Sequence, residues 1–424
     1  MNAPSPALTL YGLAAWAVSP LAPAWLRARA EAGKEDRARL GERLGHASLP
    51  RLDGRLVWLH GVSVGESLSL LGLAERLRAE RPDGLVLITS GTRASADVLV
   101  PRLPTGVVHQ YCPIDTPGAV GRFLDHWRPD LGVLAESELW PNLILGARRR
   151  GVRLALVSGR ISPGSLGRWL WAPAAARAIL GACELVLARD AAAAGRFAAL
   201  GARVDGLADL KFAAAPLPAD ETELARLRSA IGGRPVILAA STHPGEEATI
   251  LDRFGAVARD APARPLLILA PRHIDRGPEV ERLALDRGFA AARRNAGAGP
   301  AGSAVYVADT VGELGLWYRV AGLAVLGGSL IGGVGGHNPL EPARLGCPFV
   351  AGAHVETWPV YDEFEARGAT GRVARAEDLD GYFRAAIEAP DRLTAMADAA
   401  RDYVAMRDAE AGEAISRILG LLAA

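Results

Sequence analysis

RLVWLHGVSVGESLSLLGLAERLRAERPDGLVLITS, residues 55–90, decides the fold. Its first run, RLVWLH (55–60), is apolar without alternation, the pattern of a strand covered on both faces. In SLLGLAERLRAERP, Leu70, Leu73, Ala74 and Leu77 fall at i, i+3, i+4 and i+7, one stripe of a helix. GLVLITS (84–90) then repeats the first pattern. Strand, helix, strand is the βαβ unit of a parallel sheet.

The alternation continues outward. LGVLA (131–135), RLALVS (153–158) and ELVLA (184–188) complete a first series. AAAPLPADE (213–221) interrupts it, rich in Ala and Pro and closing on acids that suit a helix start. A second series follows: PVILAA (235–240), PLLILA (265–270), AVYVA (304–308), LAVLGG (323–328) and PFVAG (348–352), with AGAGPAGSA (296–304) as a flexible loop. The predicted fold class is α/β, two Rossmann-like doubly wound domains facing a central cleft, preceded by an apolar segment that associates with a membrane. The expected divisions are a membrane anchor over 1–26, a first domain over 27–212, a linker over 213–221 and a second domain over 222–390. Helices over 391–424 have no strand after them and are free to pack back on the first domain.

The formal net charge of +1 gives no reason to expect a nucleic-acid partner. Cys112, Cys183 and Cys347 form no CxxC pair and no even framework, which suits a reducing compartment. Lys34 and Lys211 are the only lysines among many arginines. From Met1 to Leu26 no side chain is charged; Arg27, Arg29, Lys34, Arg37, Arg39 and Arg43 follow. A secretory signal carries its positive charges first. This order instead keeps the body of the protein cytoplasmic by the positive-inside rule. The run barely reaches the length of a span and is interrupted by Pro20 and Pro23. It can also lie in the interface on Trp16 and Trp25, or pack as a helix on the domain.

Ligands of open parallel sheets bind beyond the carboxyl ends of the strands. Six polar clusters follow strand ends directly: Ser63, Gly65 and Glu66; Glu136 and Glu138; Ser241, Thr242, His243 and Glu246; Arg272 and His273; Asp309, Thr310, Gly312 and Glu313; and GGSLIGGVGGHNPLEPA over 327–343. Each has an ordinary reading. Ser63-x-x-Glu66 fits a helix capping box, although Gly65 inside it is costly in a first turn. Asn338-Pro339-Leu340-Glu341 fits another, with Asn as cap and Pro at the first helical position. The glycines before it leave amides open, a ready phosphate site. Arg272 and Lys211 are the cations placed to meet a phosphate or carboxylate. Arg93, Arg148–Arg150 and Arg293–Arg294 read as solvated faces. His60, His243, His273 and His337 share no metal-ligand spacing, so no metal site is expected.

With these residues in hand, the sequence resembles the 3-deoxy-D-manno-octulosonic acid (Kdo) transferases of lipid A synthesis, which are GT-B glycosyltransferases. The resemblance rests on the apolar amino terminus followed by GKEDRARLGERLG, then WLHGVSVGE, ESELWPN, DLKF, STHPGEE, PRH, DTVGEL and GGSL…GGHNPLEPA, in the family's order across nearly the whole chain. Gly61, ADLKFA and AHVETW depart from its usual residues. The resemblance implies a CMP-Kdo donor, a lipid A precursor as acceptor, an inverting and metal-independent transfer with no cofactor, and a place on the cytoplasmic face of the inner membrane. It implies Glu66 as base, Lys211 as a transition-state cation, and Glu136 or Glu138, with Glu136 preferred, opposite positive charge on the sugar ring. Arg272, His273, Gly312, Glu313, Leu314, Asn338, Pro339, Leu340 and Glu341 would hold CMP. Ser63, Gly65, Ser241, Thr242, Gly328, Ser329, Gly336 and His337 complete the expected binding residues. Another GT-B enzyme with a different sugar nucleotide, or a binding module without turnover, shares the architecture. An NAD-dependent oxidoreductase lacks its G-x-G-x-x-G turn here.

Overall fold

The computed structural model describes residues 5–51, 53–259 and 261–423. They form two compact units, one from residues up to 214 together with 407 onward, the other 215–406.

In the first unit the strands are β1 (Leu56–His60), β2 (Leu85–Ser90), β3 (Val107–Tyr111), β4 (Leu131–Ala135), β5 (Arg153–Gly159), β6 (Leu185–Ala188) and β7 (Gly206–Leu207). In the second they are β8 (Val236–Thr242), β9 (Leu266–Pro271), β10 (Ala291–Arg293), β11 (Val305–Val307), β12 (Leu323–Leu326), β13 (Phe349–Gly352) and β14 (Gly371–Val373). The sheet orders are β3-β2-β1-β4-β5-β6-β7 and β10-β11-β9-β8-β12-β13-β14. Every pairing is parallel; Leu59, for example, lies opposite Ile88 on one side and Val133 on the other. In each sheet the chain starts at an interior strand, fills one side out to the edge, then crosses to the opposite side. The crossing makes a switch point between β1 and β4, and another between β8 and β12.

Burial follows the sequence pattern. The helix Val64–Glu80 turns Leu70, Leu73, Ala74 and Leu77 into the core beneath one face of the first sheet. On the opposite face Trp58, Phe123, Ile144 and Ile179 pack together. The strand VVHQY (107–111) escapes a hydrophobic scan because His109 and Gln110 interrupt it. Their polar atoms are matched inside: His109 Nε2 pairs with Ser90 Oγ at 2.9 Å, and Gln110 Oε1 accepts from Trp127 Nε1 at 2.7 Å. The edge strands β7, β10 and β14, of two or three residues, are too short to leave a pattern. The helix Asp391–Ala423 ends in the first unit, where Ile415, Ile418 and Leu422 sit in its core. Arg417 donates to the Asp205 carbonyl at 3.0 Å.

The amino-terminal segment is a helix over Pro6–Val18, one tight turn over Ser19–Leu21, and a helix over Ala22–Glu31. Pro20 and Pro23 do not break it. Each stands in the first positions of its own segment, where no helical amide is required. Together these residues make a 26-residue apolar helix, long and apolar enough to cross a membrane. Residues 1–4 of the expected anchor lie outside the described residues. One side of the helix is docked: Leu26 is fully buried, and Tyr11 Oη donates to Asp115 Oδ2 at 2.9 Å. The basic stretch behind it is a buckle. Arg39 grips Glu42 through two bonds of 2.9 Å, and Glu42 accepts from the Tyr111 amide of β3 at 2.7 Å. Buried Glu35 meets Arg29 at 2.8 Å and Arg43 at 3.3 Å.

Candidate active site

Four of the six polar clusters flank the two switch points, where Rossmann-like sheets receive ligands. In the first unit β1 leads into Ser63–Glu66, and its neighbour β4 leads into Glu136–Glu138. In the second, β8 carries Ser241 to Glu246, and its neighbour β12 leads into the glycine-rich run from Gly327.

Glu66 is a capping-box residue in the strict sense. The Glu66 amide donates to Ser63 Oγ at 3.3 Å, and Glu66 Oε2 accepts from the Val62 and Ser63 amides at 2.7 and 3.1 Å. Among the described residues no group donates to Oε1. The carboxylate is thus held by one oxygen and open at the other. Gly65 is exposed, and a Cβ there would meet nothing within 4 Å, so the first turn is clear of protein on that side.

Glu136 follows β4 in a left-handed conformation, φ 56°. A non-glycine residue held there by its surroundings is a mark of functional sites. Its carboxylate meets Arg160 Nε at 2.9 Å and Lys211 Nζ at 3.1 Å. Lys211 is set by a bulge in β5: Ser158, at φ 51°, turns its Oγ to accept from the Leu210 amide at 2.9 Å. Glu138 accepts from Trp140 Nε1 at 2.5 Å and lies 3.7 Å from buried His60 Nε2. Burial opposes charge on His60, but the Cys112 sulfur and the Glu138 carboxylate outweigh it and raise its pKa above the ordinary value. His60 Nδ1 is anchored on Thr89 Oγ1 at 2.9 Å. Sequence reasoning named His60 only to exclude a metal; its place at the end of β1 was the available signal.

A cavity of about 640 Å³ opens beside this rim. Its walls include Tyr11, Val18 and Trp25 of the amino-terminal helix, Val62, Cys112 and Trp140. It is mainly apolar, and Val62 is the residue whose amide holds Glu66.

The second unit corrects several expectations. The amides of Gly328, Ser329 and Leu330 do not face an open anion site. Buried Glu246 takes them at 2.7, 3.1 and 2.9 Å, and the His243 amide at 2.9 Å. Thr242 and Ser329 are fully buried; Thr242 donates to Glu247 at 2.9 Å, and Ser329 Oγ accepts from the Gly352 amide at 2.8 Å. Both side chains are spent on bracing loops. Gly327 is required by close approach, since a Cβ there would lie 2.4 Å from the Ser241 carbonyl oxygen. Arg293 and Arg294 are half-buried and paired instead of free on a solvated face: Arg293 pairs with Asp309 at 3.0 Å, and Arg294 with Glu313 and Glu223 at 2.5 Å each. Glu313 is therefore engaged, also by Thr310. Burial pushes its pKa up, but the bonds from Arg294 and Thr310 outweigh burial and hold it below the usual value. Asn338 caps as expected, accepting from the Leu340 amide at 3.0 Å, but Glu341 takes its side-chain amide at 3.3 Å and not its backbone amide, so the box is not reciprocal. Burial raises the Glu341 pKa.

What stays open is a smaller set. Among the described residues, the amides of Gly333, Val334, Gly335, His337 and Asn338 donate to no protein group, and Arg272 forms no ion pair. Arg272 and His273 are exposed. His243 and His337 stack at 5.1 Å with their Nε2 atoms 2.9 Å apart. Burial, then the neighbouring His243 and Arg272, push His337 down to about 4. Between pH 4 and the unfolded value of about 6.5 the unfolded chain binds a proton that this ring refuses. Its contribution to stability is present above that window and declines as pH falls through it. His337→Gln should therefore gain stability relative to the parent on going from about pH 7 to about pH 5. Urea melts of both proteins at the two pH values check this; a constant difference would place the ring's pKa at its ordinary value. No grouping of three or more His, Cys, Asp or Glu suited to a metal ion is found among the described residues.

Comparison with known proteins identifies this arrangement. The family model described as 3-deoxy-D-manno-octulosonic-acid transferase (kdotransferase) matches residues 38–214. The 3-deoxy-D-manno-octulosonic acid transferase of Bordetella pertussis is 36% identical over 413 residues, 93% of this chain and 95% of that one. A probable mitochondrial 3-deoxy-D-manno-octulosonic acid transferase of Arabidopsis thaliana is 35% identical over 357 residues, 82% of this chain and 79% of its own. The crystal structure of UDP-GlcNAc 2-epimerase from Neisseria meningitidis matches with a TM-score of 0.57 at 14% identity, covering 86% of this chain and 99% of that one; it shares the fold. The chain thus belongs to the Kdo transferase family of glycosyltransferases and carries the family's two-unit α/β fold of the GT-B kind.

Proposed function

We propose that the protein transfers Kdo from CMP-Kdo to the acylated, phosphorylated glucosamine disaccharide precursor of lipid A, with inversion at the anomeric carbon. The observation that carries this reading is Glu66, a carboxylate fixed through one oxygen at a switch point, open at the other, and adjacent to an apolar cavity. A sugar hydroxyl is a weak nucleophile and needs a base in hydrogen-bond reach. Glu66 Oε1 takes its proton as the oxygen attacks, and CMP departs with the bonding electrons. Lys211 and Arg160, both held on Glu136, are the cations of this unit suited to meet the carboxylate of the donor sugar. In the second unit Arg272 and the open amides of Gly333–Gly335, His337 and Asn338 receive the nucleotide phosphate. Fixed cations and amides take this work in place of a metal ion.

The acyl chains of the acceptor suit the apolar cavity walled by the amino-terminal helix. Because Leu26 and Tyr11 tie that helix to the unit, it lies along the cytoplasmic surface of the inner membrane instead of crossing it. An acceptor held in the bilayer then reaches Glu66 without extraction.

Thermal unfolding with CMP and with UDP tests the donor. At a hundredfold excess over its dissociation constant CMP should stabilise by about 2.7 kcal/mol. Stabilisation by UDP and none by CMP would overturn the reading. Mass analysis of the product from purified acceptor and CMP-Kdo then fixes the transfer itself.

A further inference from the structure

The geometry points to a second membrane contact on the first unit, the tip Leu170–Trp171 with Arg168, which seats the rim of the candidate site on an anionic lipid surface. This contact rests on the membrane-surface reading given above and is remote in sequence from the amino-terminal helix.

Trp171 is 91% exposed, and Leu170 is 50% exposed beside it. They end the helix Pro163–Leu170, just before the helix Pro173–Leu180. The tip is braced from within, since Trp169 and Leu166 pack on the core that leaves Trp171 outside. A large apolar pair presented by a supported turn is a feature that calls for a partner.

Two observations select lipid as that partner. The first is charge. Of the seven arginines between Glu138 and Glu184, Arg148, Arg150, Arg153 and Arg160 pair with Glu184, Asp125 and Glu136, while Arg149, Arg168 and Arg177 join no ion pair among the described residues. Arg168 is exposed, bonds only to Ser165 Oγ at 3.0 Å, and joins no ion pair among the described residues. Unpaired Arg168 beside exposed Trp171 suits an anionic headgroup layer over an apolar interior.

The second is place. The helix Pro6–Val18 packs on Pro141–Arg149, which packs on Pro173–Leu180, which packs on Pro163–Leu170. All four helices therefore cover one face of the sheet. The cavity along the amino-terminal helix opens at Val62, Gly91 and Cys112, the residues just past β1, β2 and β3. The tip follows β5 at the same, carboxyl, ends of the strands. Exposed Trp140, bonded to Glu138, stands between them after β4. Trp25 and Trp140 both wall that cavity, and the Trp171 tip belongs to the same helical face and follows the same ends of the strands as Glu66 and Glu136.

The test uses the full chain labelled with an environment-sensitive fluorophore at Trp171→Cys or, separately, at Trp16→Cys. Native thiols react poorly: burial pushes Cys183 and Cys347 up to about 12, and Cys112 is buried. Vesicles of phosphatidylcholine with about 30% phosphatidylglycerol should move both labels to an apolar environment. A shift at 16 without one at 171 overturns the second contact and leaves the membrane reading standing. A shift at neither position overturns both. In vesicle sedimentation, Leu170→Ser with Trp171→Ser should weaken partitioning about tenfold. Arg168→Ser should weaken it about fivefold at low ionic strength and little at high salt. Unchanged partitioning of both variants, or concentration-dependent self-association that the double variant loses, would assign the tip to a protein contact and overturn the proposal.

Discussion

Glu66→Gln should leave the first unit as stable as the parent and reduce transfer by roughly 10²-fold or more, the scale of general base catalysis. The reason is the division of labour within the carboxylate. Only Oε2 accepts amide hydrogens, from Val62 and Ser63. A glutamine carries one acceptor oxygen, which can take that place while its amide nitrogen points where Oε1 now lies; capping boxes accept Gln as readily as Glu. The cap survives and the base does not. The loss belongs in kcat, with nucleotide affinity unchanged, because the second unit holds the nucleotide in this mechanism. Glu66→Ala is the contrast. It removes both roles, leaves two amides without partners and adds a stability cost of roughly 1–2 kcal/mol. Product assays and urea melts on both variants separate the effects. A glutamine variant that transfers at the parent rate would reduce Glu66 to its capping bonds.

Much of this is legible in the order of residues alone. The stripe Leu70, Leu73, Ala74, Leu77 and the continuous apolar runs around it give βαβ, and the polar clusters at run ends mark both switch points. What the sequence hides is pairing at a distance. Arg294 reads as a solvated residue because its partners, Glu313 and Glu223, stand 19 and 71 positions away. The glycine-rich run signals amides in want of an anion, and that much is sound physics. Nothing local says that Glu246, more than 80 residues earlier, supplies it for Gly328 to Leu330. Likewise Ser63-x-x-Glu66 spells a capping box and cannot say that one carboxylate oxygen is left over. Periodicity reports burial; it does not count lone pairs.

The same substitution at the matching place in the second unit should have the opposite result. Glu246 stands after β8 as Glu66 stands after β1, each at the first helix following the first strand of its sheet, beside the switch point. Its surroundings differ. Oε1 accepts from the Ser329 and Leu330 amides and Oε2 from the Gly328 and His243 amides, so no oxygen is spare. The residue is fully buried. Glu246→Gln puts an amide nitrogen against two N–H donors, and Glu246→Ala strips four amides of their acceptor in a region that water does not reach. Charge-assisted bonds are the strong ones, and an orphaned buried donor costs about 1–3 kcal/mol. With partial relaxation the loss from either substitution should be about 4 kcal/mol, roughly 10 °C in the midpoint of a unit of this size. CMP protection should vanish with it, because Gly328 carries the Gly336 amide on its carbonyl at 2.8 Å and thereby holds the open part of the loop. Calorimetry of the two glutamine variants side by side makes the comparison: the parent midpoint for 66 and a depressed one for 246. Equal midpoints would mean that Glu246 is as free as Glu66, and that the amides of Gly328 to Leu330 are open to a phosphate after all.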